Sequence, residues 1–137
     1  LGDWFTSDLG GGVCQVSTTV FRAALRAGLP FPEWHPHTFR LAFYEYEGWP
    51  PGMDAAIYQA HDGESDTLDL KFANPTDGWL LLQARVEGES VVTEVFGPAT
   101  GYEVRFGDPE VGEPVEPPPP VERYAPELPA GARELAQ

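Results

Sequence analysis

The run Gly10-Gly11-Gly12-Val13-Cys14-Gln15-Val16-Ser17-Thr18-Thr19-Val20-Phe21-Arg22-Ala23-Ala24-Leu25-Arg26-Ala27-Gly28-Leu29 contains a helix with both ends marked. Ahead of it, three glycines permit positive φ and close backbone approach. At about 100° per residue, Val16, Val20, Ala23, Ala24 and Ala27 share one face, Phe21 and Leu25 widen it, and Thr19, Arg22 and Arg26 fall opposite. Gly28, followed by Pro30 and Pro32, is a stop: glycine accepts the left-handed position after a helix and proline cannot continue one. The pattern predicts a helix over residues 14–27, mostly buried, with one wet stripe.

Beyond the helix the period changes to two. Phe39, Leu41 and Phe43 alternate with Arg40, Ala42 and Tyr44, which predicts a strand with one buried face before Trp49-Pro50-Pro51-Gly52 breaks the chain. Further strands are expected at Ala55–Ala60, Leu68–Ala73, Trp79–Glu87 and Val91–Phe96. They are separated by turns at Asp62-Gly63, Asn74–Gly78 and Glu87-Gly88-Glu89, and the last three strands form an antiparallel meander. The expected fold class is α+β: one buried helix packed on a curved antiparallel β-sheet, an arrangement compatible with a papain/transglutaminase-like core.

Composition bounds the function. The chain has 137 residues, 22 acidic and 8 basic, for a formal charge of −14 and a pI near 4.3. One domain fits that length. No excess of Lys and Arg is available to neutralise phosphates, which argues against nucleic acid and anionic membrane surfaces as partners. Hydrophobic residues at 42% exclude disorder along the whole length, and 15 Gly with 15 Pro argue against a helical bundle. Residues 1–107 read as the folded domain. Residues 108–137, with Glu110, Glu113, Glu116 and the run Pro117–Pro120, read as an acidic Pro-rich linker or tail that carries no core. No basic segment followed by an apolar run opens the chain at Leu1, so any anchor or export signal is expected outside this segment, in a longer chain with further modules.

The lone cysteine, Cys14, excludes an internal disulfide and stands at the first turn of the predicted helix. Unpaired backbone N–H groups and the macrodipole stabilise a thiolate there and can hold an oxyanion. A nucleophile needs a base. His35 and His37, two apart around Pro36, are expected to project to one side of an extended backbone, with His37 closer to the regular alternation and His35 as the competing base. Asp54, after Pro51-Gly52-Met53, is the carboxylate placed to orient an imidazole, which makes Cys14, His37 and Asp54 a candidate triad.

Each residue also has a structural reading. A cysteine at a buried helix start serves as a small hydrophobe, a histidine beside proline faces solvent or caps a turn, and an aspartate opening a strand bonds its own loop. Zinc would need Cys14, His35 and His37 with His61 or Asp54, but there is no second cysteine and no Cys-x-x-Cys or His-Glu-x-x-His spacing, so no metal is expected. No cofactor is expected either: the glycine run lacks a following Lys-Ser or Lys-Thr, and no Gly-x-Ser-x-Gly occurs.

The glycine–cysteine helix from Gly10 to Leu29, then His35-Pro36-His37, then Pro51-Gly52-Met53-Asp54-Ala55, resembles the VanW family, with Leu70–Asn74 and the closing strand to Gly97 continuing the likeness. The resemblance covers roughly residues 9–97, and the Pro-rich exit is similar to that of family members whose chains lead on to small β-rich modules. It implies a bacterial, extracytoplasmic protein of the cell envelope, linked by name to glycopeptide resistance, and no particular activity. The family's segment preceding the glycine run is mostly outside this sequence. Gly12-Val13-Cys14 and the helix end Leu25-Arg26-Ala27-Gly28-Leu29-Pro30 are also similar to the core of transglutaminase-like thiol enzymes. The expected function is a thiol-dependent acyl-transfer or amidase-type reaction on cell-wall peptide. The alternative is a non-catalytic module that binds cell-wall peptide or glycan.

Overall fold

A computed structural model describes residues 11–59, 67–110, 112, 113 and 115. The expected turn at Asp62-Gly63, His61, the proline run and nearly all of the acidic tail lie outside the described residues.

The chain is α+β. Helix α1 spans Val13–Arg26, and strands β1 (Leu81–Glu87) and β2 (Ser90–Phe96) form an antiparallel hairpin against which α1 packs through β2. Gly88, φ 62°, occupies the first position of the two-residue turn between Glu87 and Ser90, as a II′ turn requires to match the strand twist. Trp79, expected to open β1, lies before it and is almost fully exposed.

α1 ends as its glycine dictates. Gly28, φ 74°, donates its N–H to Leu25 O at 2.9 Å and Leu29 donates to Ala24 O at 3.0 Å, the paired bonds of a Schellman motif, with Leu29 buried behind them. Thr100 closes the same end by donating its hydroxyl to Ala27 O at 3.0 Å. The buried face of α1 is rotated from the one that the apolar residues alone define. Ser17, Thr18, Phe21 and Ala24 are buried, while Val16 is 41% exposed. The hydroxyls belong inside because they meet backbone: Thr18 Oγ1 accepts from Ala55 N at 3.0 Å and Ser17 Oγ lies 2.5 Å from Ala55 O.

Phe21 centres the core, stacked on Trp34 with centroids 4.8 Å apart and tilted against Phe31 at 5.0 Å. On the other side of α1, Trp49 receives the guanidiniums of Arg22 and Arg26 at 4.5 and 4.6 Å from its centroid, and Phe106 meets its edge. Both arginines belong to the stripe expected to be wet.

Three strand expectations give way to irregular backbone. The alternation at Phe39–Tyr44 does not form a strand: Ala42–Gly48 is 3-10 backbone kinked at Tyr46 and Glu47, Phe39 is 60% exposed and Tyr44 is buried. The segments 55–59 and 68–73 are extended but paired only at single points. Tyr58 bridges Leu68, Glu33 bridges Lys71, and Ala56 N donates to His35 O at 2.8 Å. Pro30, Pro32 and Pro36 have no N–H, so the 30–36 segment between them cannot support a continuous ladder. The expected third strand of the meander therefore stays apart from the hairpin, across an Asn74–Gly78 turn in which Thr76 N donates to Asn74 Oδ1 at 3.0 Å.

Candidate functional site

Cys14 is the second residue of α1, after Gly12 in the left-handed region at φ 87°. Among the described residues no side chain caps this end. The thiol is partly buried and donates to Ile57 O at 3.5 Å, the outermost of three contacts by which Cys14, Ser17 and Thr18 dock the 54–57 segment along the helix.

That docking places Asp54, 6% exposed, beside His37. Asp54 Oδ2 accepts the His37 backbone N–H at 3.0 Å and also contacts His37 Nδ1. A carboxylate is an acceptor, so Nδ1 carries a proton and Nε2 is left as the imidazole's other valence. Asp54 O in turn receives Trp34 Nε1 at 2.7 Å. Asp54 and His37 are thus brought together at both the backbone and the ring of His37.

Tyr44 covers the His37 ring, with centroids 5.1 Å apart and planes at 23°. Its phenol lies beside Thr18, and burial raises its pKa, with Cys14 and Asp54 nearby adding in the same direction. Arg22 braces both sides of the site by donating Nε to Met53 O at 2.9 Å and Nη2 to Tyr44 O. Burial lowers the Arg22 pKa, the neighbouring Asp54 opposing it. A pocket of about 200 Å³ opens on this group, lined by His37, Tyr44, Asp54 and the paired Arg40 and Glu45.

The other two candidates stand apart from the pair. His35 turns to Glu33, with Nε2 3.3 Å from Oε1, and Glu33 also holds Lys71. Among the described residues no hydrogen bond joins the Cys14 thiol to either imidazole. No group of three or more His, Cys, Asp or Glu among them is arranged to hold a metal, and His61 lies outside them. A larger apolar cleft of about 670 Å³ runs along α1 past Val13, Val16, Val20, Ile57 and Phe72.

Sequence reasoning overlooked Tyr44, Arg22, Ser17 and Thr18. Three consecutive hydroxyl residues inside a helix, Ser17, Thr18 and Thr19, are poor helix formers, and that mismatch was the available signal that members of the run serve tertiary contacts, as Ser17 and Thr18 do.

The fold and site define a class: an α+β domain whose helix start carries a thiol and docks a segment whose buried carboxylate meets an imidazole from the preceding loop. The chain belongs to the VanW family, whose VanW like protein description matches residues 1–96. It is 32% identical over 88 residues to the "Uncharacterized protein YoaR" of Bacillus subtilis (strain 168), an alignment covering 64% of this chain and 25% of that one. This chain thus spans about a quarter of the relative's length. No solved structure matches.

Proposed function

We propose that this domain acts in the bacterial cell envelope as a thiol-dependent acyl-transfer or amidase-type enzyme on cell-wall peptide. Cys14 is the nucleophile, His37 the base and Asp54 the orienting carboxylate. The observation that carries the reading is the double contact of Asp54 with the backbone and ring of His37, which commits Nδ1 and leaves Nε2 to take a proton. In the reaction the thiol leaves the Ile57 carbonyl, gives its proton to Nε2 and attacks an acyl carbon. The amine leaves with the proton from Nε2, and water or a second amine takes the acyl group from sulfur. The N–H groups at the start of α1 stabilise the oxyanion. The protein is extracytoplasmic, carried there by parts of a longer chain.

The second reading, a wall-binding module, is favoured by the Cys14 thiol facing Ile57 O rather than an imidazole. Exposed Phe39 and Tyr46, 60% and 72%, supply stacking surfaces for glycan or peptide.

Iodoacetamide alkylation of Cys14 across pH separates the two. The enzyme reading expects fast alkylation near neutral pH that slows in His37→Ala, with Asp54→Asn intermediate and His35→Ala least affected. A thiol that is unreactive in the folded state, or indifferent to all three substitutions, assigns the domain to wall binding.

A further inference from the structure

We propose that Tyr44 is a positioning residue that fixes the plane of the His37 imidazole. The inference rests on the reading of His37 as the base. Asp54 specifies which ring nitrogen is engaged, but one acceptor leaves the ring free to tilt about that bond. The second constraint has to come from a face, and Tyr44 supplies one, 5.1 Å away and within 23° of parallel.

Tyr44 is itself held on several sides. It is 8% exposed, its N–H donates to Leu41 O at 2.9 Å, its carbonyl accepts from Arg22, and its phenol rests against Thr18, one helical turn beyond Cys14. Thr18 also receives Ala55 N, the residue next to Asp54. One side chain of α1 therefore contacts both the stacking ring and the segment that carries the carboxylate. The imidazole, its orienting acid and its stacking partner are referenced to the helix that bears the thiol, which is the rigid support a base requires. Burial keeps the phenol protonated, so Tyr44 contributes a surface rather than a proton acceptor.

The test compares Tyr44→Phe, which keeps the ring, with Tyr44→Leu, which removes it. Long-range proton–nitrogen NMR reads the His37 tautomer, and iodoacetamide reads Cys14 across pH. In the unaltered protein, the His37 carbon-bound protons are expected upfield of their open-chain positions through the Tyr44 ring current, with a single Nδ1–H tautomer. Tyr44→Phe retains both signatures and the alkylation profile. Tyr44→Leu yields mixed tautomers and slows neutral-pH alkylation by up to about a hundredfold, the scale of a misplaced catalytic group. Unshifted His37 protons in the unaltered protein overturn the proposal without need of any variant, as does a Tyr44→Leu protein that folds and keeps both tautomer and profile. If His37→Ala leaves alkylation unchanged while Tyr44→Leu still mixes the tautomers, the enzymatic reading fails and the positioning of the ring by Tyr44 stands.

Discussion

Asp54 meets His37 twice with one oxygen: Oδ2 accepts the backbone N–H at 3.0 Å and faces Nδ1 of the same residue. Two contacts from a buried acid to one residue fix backbone and side chain together, so local conformation and imidazole chemistry depend on the same atom. Asp54→Asn is expected to cost about 1.5 to 3 kcal/mol, the worth of hydrogen bonds to a charged group. Urea unfolding should show the midpoint falling at unchanged slope, and the His37 tautomer should become mixed.

The helix docks the 54–57 segment through hydroxyls, and this can be tested at Thr18. Thr18→Val preserves shape but leaves Ala55 N–H buried without its acceptor, an expected loss of about 1 to 3 kcal/mol. Thr18→Ser keeps the acceptor and should lose less. Equal losses in the two variants would place the contribution of Thr18 in packing instead.

Gly28 and Gly12 both have positive φ, at 74° and 87°, but only Gly28 is crowded: an added Cβ would lie 2.7 Å from Thr100 Oγ1 and 3.1 Å from Tyr102 Cβ. Gly12→Ala should cost only the left-handed backbone penalty, about 1 to 2 kcal/mol. Gly28→Ala should cost more, and its excess should shrink in a Thr100→Ala background, because the two sites are coupled by contact. Thermal melts of the four variants form the measurement.

The pH dependence of stability follows from Glu33. The Lys71 ammonium, with His35 beyond it, holds the Glu33 carboxyl below its ordinary value of 4.5. A carboxyl whose folded value is depressed sheds its proton more readily in the native state, so its stabilisation is present above the unfolded value and lost as pH falls through the folded one. Denaturant midpoints should therefore decline as pH drops from 5 toward 3, and Glu33→Gln should flatten that part of the decline. A decline of the same steepness in Glu33→Gln would remove the ion pair from the explanation.

What the sequence made legible was what neighbours in the chain decide. The end of α1 follows from Gly28 and the prolines after it, and the hairpin from Gly88 between two alternating runs. The pairing of His37 with Asp54 followed from their order and residue types. What was not legible depends on distant partners. The period-two run at Phe39–Tyr44 reads as a strand, yet Tyr44 is taken up by His37, Thr18 and Arg22, and the backbone turns to deliver it. Extended segments at 55–59 and 68–73 lack a ladder because the chain beside them contains prolines, a property of the neighbour rather than of the segment. The apolar pattern of α1 included Phe21 and Ala24 but centred the inner face to one side, because it could not register that Ser17 and Thr18 meet Ala55.

The seal on the end of α1 has a consequence for the order in which the molecule is completed. Thr100 lies 73 residues after Ala27, whose carbonyl it caps, and everything from the His37 loop to the hairpin is made in between. A ribosome delivers α1 well before its clasp. The nascent helix, closed by its own Gly28 and Leu29, therefore waits with the Ala27 carbonyl uncapped while the intervening chain is synthesised. Chains interrupted before Thr100 carry every candidate catalytic residue but lack the side-chain cap on Ala27, and they should be recognised by chaperones and proteases more readily than the finished chain.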